Sequence, residues 1–431
     1  MIGRLKPRSM NGIFAVNKPS GVSSSQFLGE LQAIFTKSEV FQKDLNEARS
    51  KTTMDLSKDK KWSKERIKKK VKNLKVKIGH GGTLDPLASG VLIVGIGTGT
   101  KKLQYYLSEC AKTYDTEGLL GISTTTGDAE GEIVSQNGIS HITKEMITQA
   151  ASKFVGDIKQ TPPIFSALKV NGKALYDYAR ENIPLPVPIK ERNVKVFNLE
   201  VHEKDSLTID HPYQKLQSEL DADGNPVEQK LSNNPTLNDN PLYFSEQYLE
   251  KAEAQNKPKL VGKPRRLSSD ELLPEKLPLL HFTAEVSSGT YIRSLLSDIG
   301  RALESSAYMV SLKRVKQSDW EVGKNVFEYS DFTEQNENIW GPVLRKCLEV
   351  GPSYNVVEEI NLLASKAIAV PKNDFSQPNE NEHKENNTDL PSKEEQLAQS
   401  EQLKPSLELN HRDLEVPKKR SASEVEKDAK H

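Results

Sequence analysis

The chain has 431 residues, enough for two or more domains of ordinary size. Only 35% of it is hydrophobic and mean hydropathy is −0.62, so part of the chain lacks the material for a packed core. Two cysteines, Cys110 and Cys347, exclude a disulfide framework or a thiolate zinc site. The 60 Lys and Arg balance the 60 Asp and Glu, but the two signs are segregated along the chain.

The leader MIGRLKPRS is basic, with Met10 as a second possible start, and suits a short mitochondrial address. GIFAV, residues 12–16, reads as a short buried strand that enters the turn NKPSG. SSSQFLGELQAIF then opens with a capping box from Ser23 to Gln26. Phe27, Leu28, Leu31, Ile34 and Phe35 follow at helical spacing. Residues 37–77 read as a polar, lysine-rich insertion. Within it, residues 58–77 carry 11 Lys and Arg against two acids, which suits a polyanionic partner or, equally, a solvated basic helix.

GHGGTLDPLASG, residues 79–90, is a shaped loop: glycines allow sharp turns, and Pro86 pushes Asp85 toward an extended conformation. VLIVGIG reads as a buried strand and TKKLQYYL as a helical turn or more, and YDTEGLLGIST as a strand entering a loop. An αβ pattern continues to about Glu200, including the irregular TPPIFSALKVNGKALYDYAR. Residues 203–277, rich in Asn, Asp, Pro, Lys and Glu without sustained periodicity, read as a long surface insertion. LLHFTAEV is an alternating strand. In YIRSLLSDIGRAL, residues Ile292, Leu295, Leu296, Ile299 and Leu303 make one apolar helical face. Residues 372–431 have the composition of a disordered tail, and VPKKRSAS at 416–423 resembles a nuclear-import signal.

The eight histidines show no metal-ligand spacing, no apolar run approaches a membrane span, and no secretory signal is visible. Gly95, Gly97 and Gly99 follow a hydrophobic strand, but G-x-G-x-G lacks the dinucleotide-binding spacing, and GIGTGTKK lacks the phosphate-loop pattern. GTLDP also differs from the aspartyl-phosphate signature, in which the aspartate precedes Thr-Gly-Thr. A loop aspartate is more often a turn-former than a catalyst. Arg293 is the second unusual residue: it lies in the first turn of a predicted helix, where the macrodipole disfavours a cation. A nearby carboxylate or phosphate would explain it, and a plain surface arginine is the alternative.

GHGGTLDPLASGVLIVGIGTGTKKLQYYL resembles the signature of TruB-type tRNA pseudouridine-55 synthases. FAVNKPSGVSS, KTYDTEGLLGISTTTGDAEG, QTPPIFSALKVNGKALYDYAR, and SSGTYIRSLLSDIG with YMVSLKRVKQSDW are similar to that family's other motifs, in the same order. The insertions, and the lack of a recognisable PUA domain after residue 320, resemble the eukaryotic, fungal-type branch. The resemblance implies an α+β pseudouridine synthase fold: a mixed, mostly antiparallel central sheet flanked by helices and loops. Its catalytic domain would span 1–371, with insertions at about 37–77 and 203–277, and a disordered tail would occupy 372–431.

It further implies that Asp85 is the catalytic carboxylate and Arg293 its charge partner, clasping it as a bidentate fork. His80 would pack against the RNA loop and help keep the target nucleotide extruded, Tyr114 would stack on the base, Tyr291 would be a second active-site tyrosine, and Leu312 would line the uracil pocket. Lys68, Lys69, Lys70 and Lys72 are candidate phosphate contacts that would substitute for a PUA domain. The expected partner is the T-stem-loop of tRNA, with T-loop-like mRNA sites as an extension, and the enzyme is expected to be a monomer without membrane, metal or cofactor. The expected compartments are the nucleus and mitochondrion, with the cytoplasm as a third. The alternatives are an RNA-guided synthase, or a non-catalytic tRNA-binding chaperone of the same fold.

Overall fold

The computed structural model describes residues 9–217, 231, 233–256, 262–267 and 271–369, with side chains of the last helix to residue 367. The leader, the expected tail at 372–431, the basic stretch 416–423 and parts of 203–277 lie outside the described residues.

The central sheet uses strands β1 (Gly12–Lys18), β2 (Ile78–His80), β3 (Ser89–Ile96), β4 (Lys112–Leu120), β5 (Gly156–Gln160), β6 (Arg192–Val201), β7 (Leu279–Val286), β8 (Ala307–Gln317), β9 (Trp320–Glu321) and β10 (Phe327–Glu328). Their order is β10-β1-β3-β8-β4-β7-β6-β5, with β9 added to β8 and β2 to β3. Among the described residues β1–β10 and β3–β8 are the parallel pairs and the rest are antiparallel, so the sheet is mixed and mostly antiparallel. The apolar run of β3, with Val91, Leu92, Ile93, Val94 and Ile96 buried, is that of a strand covered on both faces.

Two cores flank the sheet. In the first, helix α1 (Ser24–Lys37) buries Phe27, Leu31 and Phe35 against β1 and β3. Ser23 caps α1 by accepting from the Gln26 backbone N–H, but the expected capping box is only half made. The exposed Gln26 side chain donates instead to Glu30, one turn further on. Helix α2 (Glu39–Ser57) sends Phe41 and Leu45 into the same core, with Phe41 stacked 4.8 Å from Phe35. Burying such side chains contributes about 1.5–3 kcal/mol each, so the start of the polar 37–77 segment is anchored in the packed core. Helix α3 (Lys64–Lys72) packs on α2 through the buried Ile67. GIGTGTKK forms the end of β3 and a 3-10 turn, Gly97–Lys102, and the helix that follows begins at Leu103.

The second core lies under β4, β6, β7 and β8. The 203–277 segment is less irregular than its composition suggests. Helix α4 (Glu246–Ala254) forms there, while Leu207, Leu242 and Phe244 pack on the second core and Tyr213, Leu216, Leu273 and Leu277 on a satellite cluster. Helix α5 (Ile292–Ala302) presents Ile292, Leu295, Leu296 and Ile299 to the second core, as its spacing predicts, and Leu303 caps its end. Helix α6 (Glu337–Val350) closes the first core with Trp340, Val343 and Leu344.

Candidate active site

The segment between β2 and β3 is held from both sides. On one side, Ser24 Oγ accepts from Leu84 N and donates to Leu84 O, each at 2.8 Å. Gly21 N donates to Pro86 O at 2.8 Å, and the buried Lys18 ammonium donates to Pro19 O, Val22 O and, at 3.5 Å, Pro86 O. On the other side Arg314, from β8 and 1% exposed, donates to Val91 O at 2.7 Å, Gly82 O at 3.1 Å and Thr83 O at 3.4 Å. Gln317 donates to Gly81 O at 2.8 Å. Gly90 permits the contact with β8: its φ is +103°, and a Cβ there would lie 2.3 Å from Arg314 O. The chain turns between these clamps, with Ala88 N donating to Asp85 O at 3.1 Å, and leaves the Asp85 carboxylate 40% exposed.

Arg293, the second residue of α5, meets that carboxylate at 3.0 Å through Nη2 while its side chain is 5% exposed. The anion that offsets its unfavourable place at a helix N-terminus is therefore Asp85, together with Asp128. Asp128 Oδ2 lies 3.7 Å from Nη1, and Nη1 and Nη2 also donate to Thr126 O and Phe165 O, each at 2.7 Å. The expected bidentate fork on Asp85 is not formed. The guanidinium instead donates to the Thr126 and Phe165 carbonyls, with Asp85 and Asp128 as its charge partners, which offsets the cost of burying it.

Asp85 and Arg293 line two adjoining clefts. One, of about 310 Å³, also takes in Lys112, Tyr114, Tyr291, Leu312 and Arg314. The other, of about 600 Å³, includes Ser23, Thr126, Asp128, Glu130, Tyr176 and Arg180. The smaller cleft is of the size that holds small ligands, with apolar walls and a few convergent polar groups. Tyr114 is held by Arg314, whose Nη1 donates to its hydroxyl at 3.5 Å and whose guanidinium lies 6.0 Å from its ring centroid. Tyr291 caps α5 and is fixed by Gln160, which accepts from its N–H at 2.7 Å and donates to its carbonyl at 3.1 Å. Burial raises the Tyr291 phenol pKa, opposed by its bond to Ser166 and by the Arg192 and Arg293 charges, so the ring enters the cleft as a neutral phenol.

The structure thus gathers Asp85, Tyr114, Tyr291, Arg293 and Leu312 around one cleft. His80 ends β2 and lines neither cleft. Burial, then the Arg314 charge, lowers its pKa, so the ring is neutral at physiological pH, with a buried Nδ1 that has no protein partner. Lys68, Lys69, Lys70 and Lys72 are exposed on α3 and also line neither cleft, with Lys70 lying 4.4 Å over the Trp62 ring.

Sequence reasoning passed over Lys18, Lys112, Asp128, Gln160, Arg314 and Gln317. Each is a buried polar residue, which implies a dedicated partner, but its burial comes from the fold and is not signalled by its neighbours in the sequence. Lys18 is the clearest case. Burial lowers its pKa to about 8, while the Asp85 charge pulls it back up and Arg314 pushes it down. Glu130, beside the Asp128–Arg293 pair, is shifted up by burial and by the Asp128 and Asp85 charges.

The family model described as "TruB family pseudouridylate synthase (N terminal domain)" matches residues 66–219. The chain is 48% identical over 361 residues to tRNA pseudouridine synthase 4 of Saccharomyces cerevisiae, covering 81% of this chain and 88% of that protein. It is 37% identical over 355 residues to tRNA pseudouridine synthase 4 of Schizosaccharomyces pombe, covering 75% and 82%. A shorter stretch of 122 residues is 44% identical to tRNA pseudouridine synthase B of Streptococcus pyogenes, covering 28% and 41%.

Proposed function

The chain belongs to the TruB family of pseudouridylate synthases, and we propose that it isomerises uridine 55 in the T-loop of tRNA, with Asp85 as the catalytic carboxylate. As a tRNA pseudouridine synthase it is an isomerase. The N1–C1′ bond of the uridine breaks, the uracil turns, and C5 bonds to C1′ while the C5 proton is lost and N1 gains one. Atoms and electrons balance within the nucleoside.

The observation that carries the residue assignment is the Asp85–Arg293 pair at 3.0 Å at the junction of the two clefts. A carboxylate beside an electron-poor sugar carbon can attack it or act as a base on the sugar. The base must leave the RNA stack to reach it, and stacking on an aromatic ring offsets part of that cost. Tyr114 supplies the ring, Leu312 the apolar wall, and Tyr291 a neutral phenol against the extruded base. The wider cleft, with Arg180 and the serines at 23–25, takes the flanking RNA backbone. T-loop-like hairpins in mRNA present the same shape and are substrates of the same site, and one chain is sufficient for the reaction.

The test is to map pseudouridine in tRNA from cells that carry the wild-type chain, Asp85→Asn, or none. Position 55 should be modified with the wild type alone, while Asp85→Asn binds tRNA as tightly as wild type. Turnover by Asp85→Asn above about a thousandth of wild type would remove Asp85 as the essential carboxylate, since loss of a nucleophile or base leaves little residual rate. Modification at another tRNA position would overturn the site assignment but leave the carboxylate role intact.

A further inference from the structure

The face of the sheet turned away from Asp85 carries a cluster that isomerisation does not use. On β4, Tyr114 enters the catalytic cleft, so Asp115 points to the opposite face. There the antiparallel pairing of β4 with β7 and the backbone bond from His202 N to His281 O bring Asp115, His281 and His202 side by side. His281 Nε2 lies 3.1 Å from Asp115 Oδ2, and His202 Nε2 lies 4.0 Å from the same oxygen. The three ligand atoms all fall within 4.8 Å of one another. The two imidazoles lie 4.1 Å apart, inclined at 33°, with both Nε2 atoms turned to one carboxylate oxygen.

We propose that Asp115, His202 and His281 form a binding site for a divalent zinc-class cation. Two imidazole nitrogens and one carboxylate are a donor set that such ions accept with a water in the fourth position. Neighbouring ligands of a tetrahedral zinc lie about 3.3 Å apart, given bonds of about 2.0 Å. The Asp115–His281 separation already matches that edge, and His202, whose ligand atom lies within 4.8 Å of the other two, must close by up to about 1.5 Å.

A second observation points the same way. His281 Nδ1 lies 3.0 Å from Asp205 Oδ2. A carboxylate behind the second nitrogen fixes the tautomer that leaves Nε2 free to ligate, and metal-bound histidines usually have such a partner. Among the described residues no lysine or arginine forms an ion pair with Asp115 or Asp205, although Lys313 stands opposite Asp115 on β8. The rival arrangement is a hydrogen-bond network without metal, in which His281 Nε2 bonds Asp115 Oδ2 at 3.1 Å and His202 Nε2 meets Thr283 Oγ1 at 2.8 Å.

Bound there, the ion ties β4 and β7 to the turn after β6. It braces the sheet behind Tyr114 and takes no part in the chemistry at Asp85. This reading is independent of the RNA target.

The test uses the full chain, stripped with a chelator and titrated with Zn²⁺ by calorimetry and with Co²⁺ by visible absorption. One equivalent should bind, with Co²⁺ giving the intense bands of a four-coordinate site, and Zn²⁺ should raise the melting temperature. Asp115→Asn and the double variant His202→Gln/His281→Gln should each weaken Zn²⁺ binding at least tenfold. Turnover on tRNA at saturation should stay within about twofold of wild type, because the site lies across the sheet from the chemistry. Should the double variant fail to fold, Asp115→Asn, which keeps the side-chain shape, decides the question. Absence of saturable one-equivalent uptake, or uptake unchanged in Asp115→Asn, would overturn the site in favour of the metal-free network.

Discussion

Replacing Arg293 by lysine tests the active-site reading most directly, because charge is kept while geometry is lost. The guanidinium places two nitrogens among four acceptors: Asp85 Oδ2 at 3.0 Å, Asp128 Oδ2 at 3.7 Å, and the Thr126 and Phe165 carbonyls at 2.7 Å each. A single ammonium cannot span this set, so at least two contacts are lost. The two carbonyls, if both left without donors, cost about 2–6 kcal/mol in stability, at about 1–3 kcal/mol for each unsatisfied group. Urea unfolding measures that loss directly. Turnover should fall further than stability explains. Removing one oriented donor from a reacting charge costs about 10²–10³ in rate, so single-turnover pseudouridine formation on a T-stem-loop RNA should drop by that factor. RNA binding, measured separately by filter retention, should change by less than about threefold, because Arg293 is 5% exposed. A lysine variant that turns over within tenfold of wild type would show that Asp85 needs only a nearby charge, and the paired-site argument would be lost.

Other expectations follow from the same contacts. Gly90→Ala should destabilise the chain by at least about 3 kcal/mol, since the new Cβ would meet Arg314 O at 2.3 Å, whereas Gly289→Ala, whose Cβ meets nothing nearer than 3.8 Å, should cost only about 1–2 kcal/mol for its positive φ. Equal melting temperatures for the two variants would refute the close-approach reading. Burial raises the Asp298 pKa to about 6 against the partial offset of Arg301, above its usual 3.8, so its contribution is full below pH 4 and is lost as pH rises through 6. Unfolding free energy of the wild type, relative to Asp298→Asn, should therefore fall by up to about 3 kcal/mol across that window, and parallel pH profiles would exclude it. Neutralising Lys68, Lys69, Lys70 and Lys72 together should flatten the log–log salt dependence of tRNA binding by up to roughly three units and leave turnover at saturation unchanged. An unchanged slope would make α3 a solvated helix.

What could be read in advance was local chemistry. Arg293 in a helix's first turn breaks a local rule, and such breaks mark sites where function overrides propensity. Asp85 before a proline in a glycine-rich loop breaks none, and only the motif around it sets it apart from an ordinary turn aspartate. The apolar face of α5 and the buried run of β3 were legible because their periods are regular. The α2 helix was not, since only Phe41 and Leu45 of its 19 residues are buried and its polar majority hides two anchors. Nor was α4, whose one buried residue, Ala252, gives no stripe to detect. The Asp115–His202–His281 cluster was invisible for another reason: strand pairing, not chain spacing, brings it together.

The same distinction explains why Asp128 carries more of the site than its place in GDAEG suggested. A buried guanidinium facing a single, 40% exposed carboxylate would be poorly satisfied, and Asp85 would then be needed to hold Arg293 in place. Instead Asp128, with a side chain 5% exposed and itself fixed by Thr126 and the Glu130 N–H, joins two carbonyls in holding the arginine. Asp85 meets Arg293 through Oδ2, and among the described residues its Oδ1 accepts no hydrogen bond. The clamps of Ser24, Lys18 and Arg314 act on backbone atoms around it and leave the carboxylate itself uncommitted. A fixed backbone, a fixed counter-charge and one free oxygen at the junction of two clefts are what a carboxylate needs to meet a sugar carbon without first breaking a bond of its own.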